Sequence, residues 1–264
     1  MGDPVKVDAV VLAGGAGEVI DPTVRIKGLV PIMGRPMIEW VVDALRASSS
    51  IGEIAVVVPT DENLGEWTAK VDHIVVSPND FIDNAIAGAS VFGNERHVLG
   101  ATGDLPALTP AAIDDYVLSS LESGAEFSYP LVRAEDMEAQ FPGSQRTYVK
   151  VAGGPVTGGN MVLMSADLLR RNRDIGQRLF ETRKSPIAMA RVIGIPFIFK
   201  YVTGRLRVDD VEAKLAQLLG AKCAAIYTTH ASIGADVDKP IDVVVAERVL
   251  YARSSGTIVD SRVR

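Results

Sequence analysis

Short apolar runs alternate with stretches of helical apolar spacing along most of the chain. Ala9 to Leu12 reads as a buried strand, Ile54 to Val58 as a second and His73 to Val76 as a third. Arg96 to Thr102 is expected to carry another strand into an acidic turn. Between these runs, Met37 to Ala47 and Phe81 to Val91 have their apolar residues at helical intervals. Thr109 is placed to cap, and Pro110 to open, a helix that reaches Leu121. Strand–helix alternation of this kind implies a mainly parallel sheet with helices on both faces, an α/β class.

The middle of the chain is less regular. Ala125 to Val132, Tyr148 to Ala152 and Gly158 to Met164 are expected strands, and Leu168 to Ile193 is expected to be helical with a break at Pro186. Val208 to Leu219 should be a helix stopped by Gly220, Lys222 to Tyr227 a strand, and Pro240 to Ala252 the last helix. No internal repeat or low-complexity linker interrupts the chain. The expectation is one domain over residues 1–253 with an inserted middle section at about 125–205, followed by a polar tail at 254–264.

Composition narrows the function classes. Hydrophobic residues are 47% of the 264, enough for a large core. The formal charge of −6 argues against nucleic acid or an anionic membrane as partner, since both favour a basic surface. No apolar run is long enough to span a bilayer, and no N-terminal signal pattern is seen. Cys223 is the only cysteine, so neither an internal disulfide nor a cysteine metal cluster can form. A reducing cytoplasm is the expected home. The histidines His73, His97 and His230 have no metal-ligand spacing, and Arg170, Arg171 and Arg173 read as a solvated helix face.

The first strand runs into Ala13, Gly14, Gly15, Ala16 and Gly17, with Lys27 about ten residues on. Glycines there let backbone N–H groups approach phosphate oxygens, and the lysine adds a cation. A nucleotide phosphate suits such a loop. The Walker pattern is absent, which speaks against a P-loop kinase or ATPase. The dinucleotide pattern starts at Gly15 and Gly17 but meets Ile20 at its third glycine, which weakens a hydride-transfer reading.

The arrangement resembles the nucleotidyltransferases of the GT-A-like, Rossmann-type fold, in particular the molybdenum-cofactor (MobA-like) NTP transferases. Leu12, Ala13, Gly14, Gly15 and Gly17 match the family loop, Lys27 its lysine, and Gly34, Pro36, Met37 and Ile38 the stretch beyond. Gly103, Asp104, Leu105 and Pro106 match a strand-end acidic motif, and Gly234 to Asp242 matches a C-terminal one. One position departs: Val19 stands where the family has an arginine that meets the triphosphate, with Arg25 six residues later as a substitute charge.

The resemblance implies a three-layer nucleotide-diphospho-sugar transferase fold and an enzyme that moves NMP from an NTP to a phosphorylated small-molecule acceptor, releasing pyrophosphate. It implies Lys27 and Asp104 as catalytic residues, and Leu12, Ala13, Gly14, Gly15, Gly17, Lys27 and Asn84 as nucleotide contacts. It further implies Gly159 and Asn160 at the acceptor, and Mg²⁺ (or Mn²⁺) held by Asp104 and Asp236. From the residues alone, Asp238 is expected to cap the last helix, Asp242 to sit in its first turn, and Asn79 and Asp80 to cap the helix from Phe81. Two alternatives stay open: a glycosyltransferase on the same fold using a nucleotide sugar, and a nucleotide-binding module with impaired catalysis, which the Val19 departure motivates.

Overall fold

Val7–Leu12 (β1) is apolar apart from Asp8, and its side chains divide between two faces as strand geometry requires. Val7, Ala9 and Val11 join one core cluster, while Val10 joins another with Val57, Ala89, Val98 and Ala166. A strand covered on both faces belongs at the centre of a sheet. The computed structural model describes residues 6–61, 63–93, 96–182 and 192–256, and places β1 there.

Two small strands, Pro31–Ile32 (β2) and Arg35–Pro36 (β3), form a separate hairpin turned by Met33 and Gly34, both at positive φ. In the main sheet β1 lies parallel between Ile51–Val58 (β4) and His97–Thr102 (β6), and His73–Val76 (β5) adds a parallel edge beside β4. Beyond β6 come Phe127–Arg133 (β7), Val149–Val151 (β8), Gly154–Gly158 (β9), Met161–Ser165 (β10) and Cys223–Thr228 (β11). The sheet order is β5-β4-β1-β6-β10-β7-β9-β8, with β11 parallel to β7 and β10 antiparallel to both its neighbours. The sheet is therefore mixed but mostly parallel. Its carboxyl-end crevice, where β1 and β6 both finish, is where open α/β sheets bind ligands.

Helices cover both faces. Met37–Ala47 (α1) and Pro110–Glu122 (α3) supply Ile38, Val41, Leu45, Ile113 and Val117 to the largest core cluster, on the face of β1 that carries Ala9 and Val11. Phe81–Ala89 (α2) lies on the other face, where Gly88 comes so close that a side chain there would meet Val10 and Val57. Thr109 accepts from the Ala112 N–H at the start of α3, and Gly220 ends the helix Val208–Leu219 in the left-handed region, as their positions imply.

The structure corrects the sequence reading in the middle of the chain. Gly158 to Met164 is not one strand, because Gly159 and Asn160 form a corner between β9 and β10. The helical stretch from Leu168 breaks at Asn172, between Ala166–Arg171 and Arg173–Thr182, where the Asn172 amide donates to the carbonyls of Leu168 and Leu219. Ala134–Gln140 is a helix that apolar spacing does not reveal. The expected break at Pro186 lies outside the described residues, as does the expected tail at 254–264 beyond Gly256, while its first residue, Ser254, still belongs to the last helix.

The buried Tyr116 hydroxyl ties α3 to the sheet by donating to the Ser128 carbonyl at 2.9 Å and accepting from the Leu163 N–H at 3.1 Å. Burial pushes its phenol up to about 12, against the opposing hydrogen bonds. An unfolded tyrosine ionises near pH 10, so the folded chain holds this proton more tightly. The resulting stability is whole below pH 10 and is lost as the pH rises towards 12. By pH 11 the loss from this group is on the order of 1 kcal/mol. Urea midpoints at pH 9 and 11 should therefore fall less in Tyr116→Phe than in the parent protein; equal falls would remove Tyr116 from the titration.

Candidate active site

The glycine loop folds back on itself at the end of β1. The Gly17 N–H donates to the Arg25 carbonyl at 3.0 Å and the Lys27 N–H to the Gly15 carbonyl at 3.0 Å, which pairs Ala16 with Ile26. Ile20 and Val24 hold the lap down by packing on a cluster that contains Val30, Ile32, Met37 and Val237. Gly17 is buried, and a side chain there would strike the Val24 carbonyl oxygen. Its glycine thus serves the lap, and its N–H is already used. The Ala13 N–H is likewise bonded to the Val57 carbonyl, and the Leu12 carbonyl to the Gly103 N–H. The exposed N–H groups are those of Gly14, Gly15 and Ala16, which make no hydrogen bond among the described residues.

Lys27 begins a short 3-10 turn, and its stem lies on Gly15. Its ammonium donates to Asp104 at 2.5 Å and also to Asp238. Asp104 follows β6, and the Thr102 hydroxyl donates to its other carboxylate oxygen at 2.5 Å. Asp236 and Asp238 follow a 3-10 turn at Ala231–Gly234, and the Val237 N–H between them donates to the Asp104 carbonyl at 3.0 Å. Carboxylate oxygens of Asp104, Asp236 and Asp238 lie within 4.8 Å of one another. The structure therefore brings Lys27, Asp104 and Asp236 together, across more than 200 residues of sequence, at the carboxyl end of β1 and β6.

Asp238 does not cap the last helix, Pro240–Ser254. Asp242, in the first turn, does that work: its carboxylate accepts from the N–H groups of Asp238 and Lys239 at 3.0 and 2.9 Å. Asp238 is left free to face Lys27. The other expected caps also differ. Asp80 stands at the start of α2 without a side-chain cap bond, and Asn84 instead accepts from the Asn79 N–H and donates to its carbonyl. Asn84 is thus a brace of its own loop, with no bond to the acidic cluster.

Arg146, which nothing in the surrounding coil sequence marks out, is nine-tenths buried and donates to both the carboxylate and the carbonyl of Asp236. Three carboxylates against two cations leave the cluster negative. Burial raises the Asp236 carboxyl to about 6, with the charges of Asp104 and Asp238 adding and Arg146 opposing. Burial would lower Lys27, but Asp104 and Asp238 outweigh it and its ammonium titrates above the ordinary lysine range. Burial likewise works against Asp238, yet the Lys27 bond holds its carboxyl below the usual value.

Gly159 and Asn160 sit beside this cluster. The Asn160 N–H donates to the Ile233 carbonyl, its carbonyl accepts from the Thr102 N–H, and its side-chain amide makes no hydrogen bond among the described residues. Gly159 packs directly on Ile233 and Pro130. Val19 and Arg25 are exposed on the lap. Elsewhere His73 meets Glu53, His230 meets Asp115, and Arg171 and Arg173 form surface ion pairs with Glu126 and Asp83. Hard carboxylate oxygens are the donors Mg²⁺ and Mn²⁺ prefer, and the ammonium already among them shows that the position suits a cation.

A family model described as the MobA-like NTP transferase domain matches residues 9–192. A structure described as a hypothetical transferase from Thermus thermophilus is 34% identical, with a TM-score of 0.78, covering 90% of this chain and 100% of its own. CMP:2-keto-3-deoxy-manno-octonic acid synthetase, solved with CTP, is 12% identical with a TM-score of 0.61, covering 94% of this chain and 99% of its own. The 4-diphosphocytidyl-2C-methyl-D-erythritol synthase of Anaerococcus prevotii is 14% identical with a TM-score of 0.57, covering 94% and 96%. No curated protein matches the sequence. The fold is the GT-A-like, Rossmann-type fold that these proteins share.

Proposed function

The chain belongs to the MobA-like NTP transferase domain family, and on that premise we propose that it moves a nucleotidyl group from an NTP to the phosphate of a small-molecule acceptor. An acceptor oxygen forms a bond to the α-phosphorus, the bond from that phosphorus to the bridging oxygen breaks, and pyrophosphate leaves with the electron pair. The observation that carries the reading is the convergence of Lys27, Asp104, Asp236 and Asp238 beside the free N–H groups of the glycine loop.

Each residue has a task in this scheme. The N–H groups of Gly14, Gly15 and Ala16 bind phosphate oxygens, and Lys27 adds a point charge. Arg25 stands exposed on the same lap in the role that Val19 cannot fill. Asp104 and Asp236, with Asp238 beside them, hold Mg²⁺ or Mn²⁺, and Arg146 orients Asp236. The bound cation would neutralise phosphate charge and orient the α-phosphate. Asn160 offers a donor and an acceptor to the second substrate. No protein nucleophile is required, because the acceptor phosphate is already anionic. Positioning and electrostatics carry the catalysis.

Thermal melting with each of the four NTPs and Mg²⁺ tests the reading. One NTP should raise the midpoint, with about 2.7 kcal/mol of stabilisation at a hundred times its Kd. That NTP should then release pyrophosphate with a suitable phosphorylated acceptor. Release of free NDP from a nucleotide sugar would instead favour the glycosyltransferase. Val19 supports one further reading, a binding module, which NTP binding without pyrophosphate release over a wide acceptor panel would favour.

A further inference from the structure

We propose that the Lys27 ammonium holds the divalent cation's place in the nucleotide-free protein, and leaves it for the phosphates when nucleotide and metal arrive together. The inference rests on the metal assignment made above and adds to it an internal competitor. Lys27 bonds one oxygen of Asp104 and one of Asp238, two of the three carboxylates that can gather round an ion. An ammonium is a compact point charge with three donors and no acceptor. A divalent cation claims the same oxygen lone pairs and carries the same sign, so the two cannot occupy that position at once.

The lysine has somewhere to go. Its stem rests on Gly15, with its Cβ and Cδ 3.5 and 3.6 Å from the point where a side chain on that glycine would begin. Rotation about the four-carbon stem swings the ammonium from the carboxylates towards the exposed N–H groups of the loop. In the free protein no anion waits there, so the ammonium stays with Asp104 and Asp238. A triphosphate on the loop supplies the alternative partner. Metal alone must therefore compete with the protein's own cation, whereas metal with nucleotide does not. By linkage, each raises the affinity for the other by the same factor.

The test uses Mn²⁺ alone on nucleotide-free protein, with free Mn²⁺ read by electron paramagnetic resonance, so no turnover is involved. Lys27→Met, similar in length and uncharged, should bind Mn²⁺ at least about tenfold more tightly than the parent, a gain of about 1.4 kcal/mol. Lys27→Gln should move in the same direction and serves if the methionine variant does not fold. Equal or weaker Mn²⁺ binding in the folded variants overturns the proposal. Adding Asp104→Asn to Lys27→Met separates this failure from a failure of the metal assignment. The double variant should bind Mn²⁺ more weakly than Lys27→Met whether or not the lysine competes; unchanged binding there would place the ion elsewhere and sink the assignment itself.

Discussion

Asp104→Asn is expected to slow pyrophosphate release by about a thousandfold, roughly 4 kcal/mol of barrier, with the protein still folded. The amide keeps the size of the carboxyl and can still accept from Thr102 or Lys27, so the local bonds have a replacement. The link that ties this turn to the distant acidic segment runs from the Val237 N–H to the main-chain carbonyl of residue 104, which the substitution leaves in place. What disappears is a full negative charge on an oxygen proposed above to hold the cation, and a bound cation supplies several kcal/mol of transition-state stabilisation. Steady-state pyrophosphate release and a melting curve on the same sample check both halves. A rate within about tenfold of the parent, less than roughly 1.4 kcal/mol, would take Asp104 out of the chemistry.

A second large effect is expected at Gly159, and it is one of stability. An added Cβ would press into the Ile233 side chain and lie 2.7 Å from Pro130 and 3.2 Å from the Ile233 carbonyl. None of these is the loose end of a flexible chain. Overpacking of this kind costs about 1–3 kcal/mol and here the upper end is expected. For a chain of this length that is a fall of about 6–12 °C in Tm. Ile233 lies in the 3-10 turn that leads to Asp236, so Gly159→Ala should also lower turnover by shifting that carboxylate. Gly158→Ala is the control, since a side chain there meets nothing within 4 Å, and its Tm should stay near that of the parent. Equal Tm values for the two variants would refute the packing argument.

These two glycines show what a sequence can and cannot disclose. The strands β1, β4 and β6 are legible because each is a short apolar run, and the caps at Thr109 and Gly220 because their chemistry is local. The loop, Lys27, Asp104 and Asp236 stand out through the order and spacing of motifs. The same motifs suggest Gly17 and Gly159 as ligand glycines, yet the structure accounts for them through contacts with Val24 and Ile233 that spacing does not encode. Gly158 to Met164 looks continuous because a two-residue corner leaves little mark in hydrophobicity. Asp238 and Asp242 lie two residues either side of Pro240, which opens the last helix, so sequence does not tell which carboxylate provides the cap. Arg146 lies in a coil without a motif, and only its buried bonds to Asp236 disclose it.

The tie between Val237 and Asp104 also bears on how the protein comes into being. A polypeptide emerging from the ribosome carries the glycine loop first and Asp104 before half the chain is made. Asp236 and Asp238 emerge only after every described strand has been made. Contacts so distant in sequence close late. A prematurely terminated product that stops short of them would keep Asp104 and Lys27 but lack the other two carboxylates of the proposed cation site.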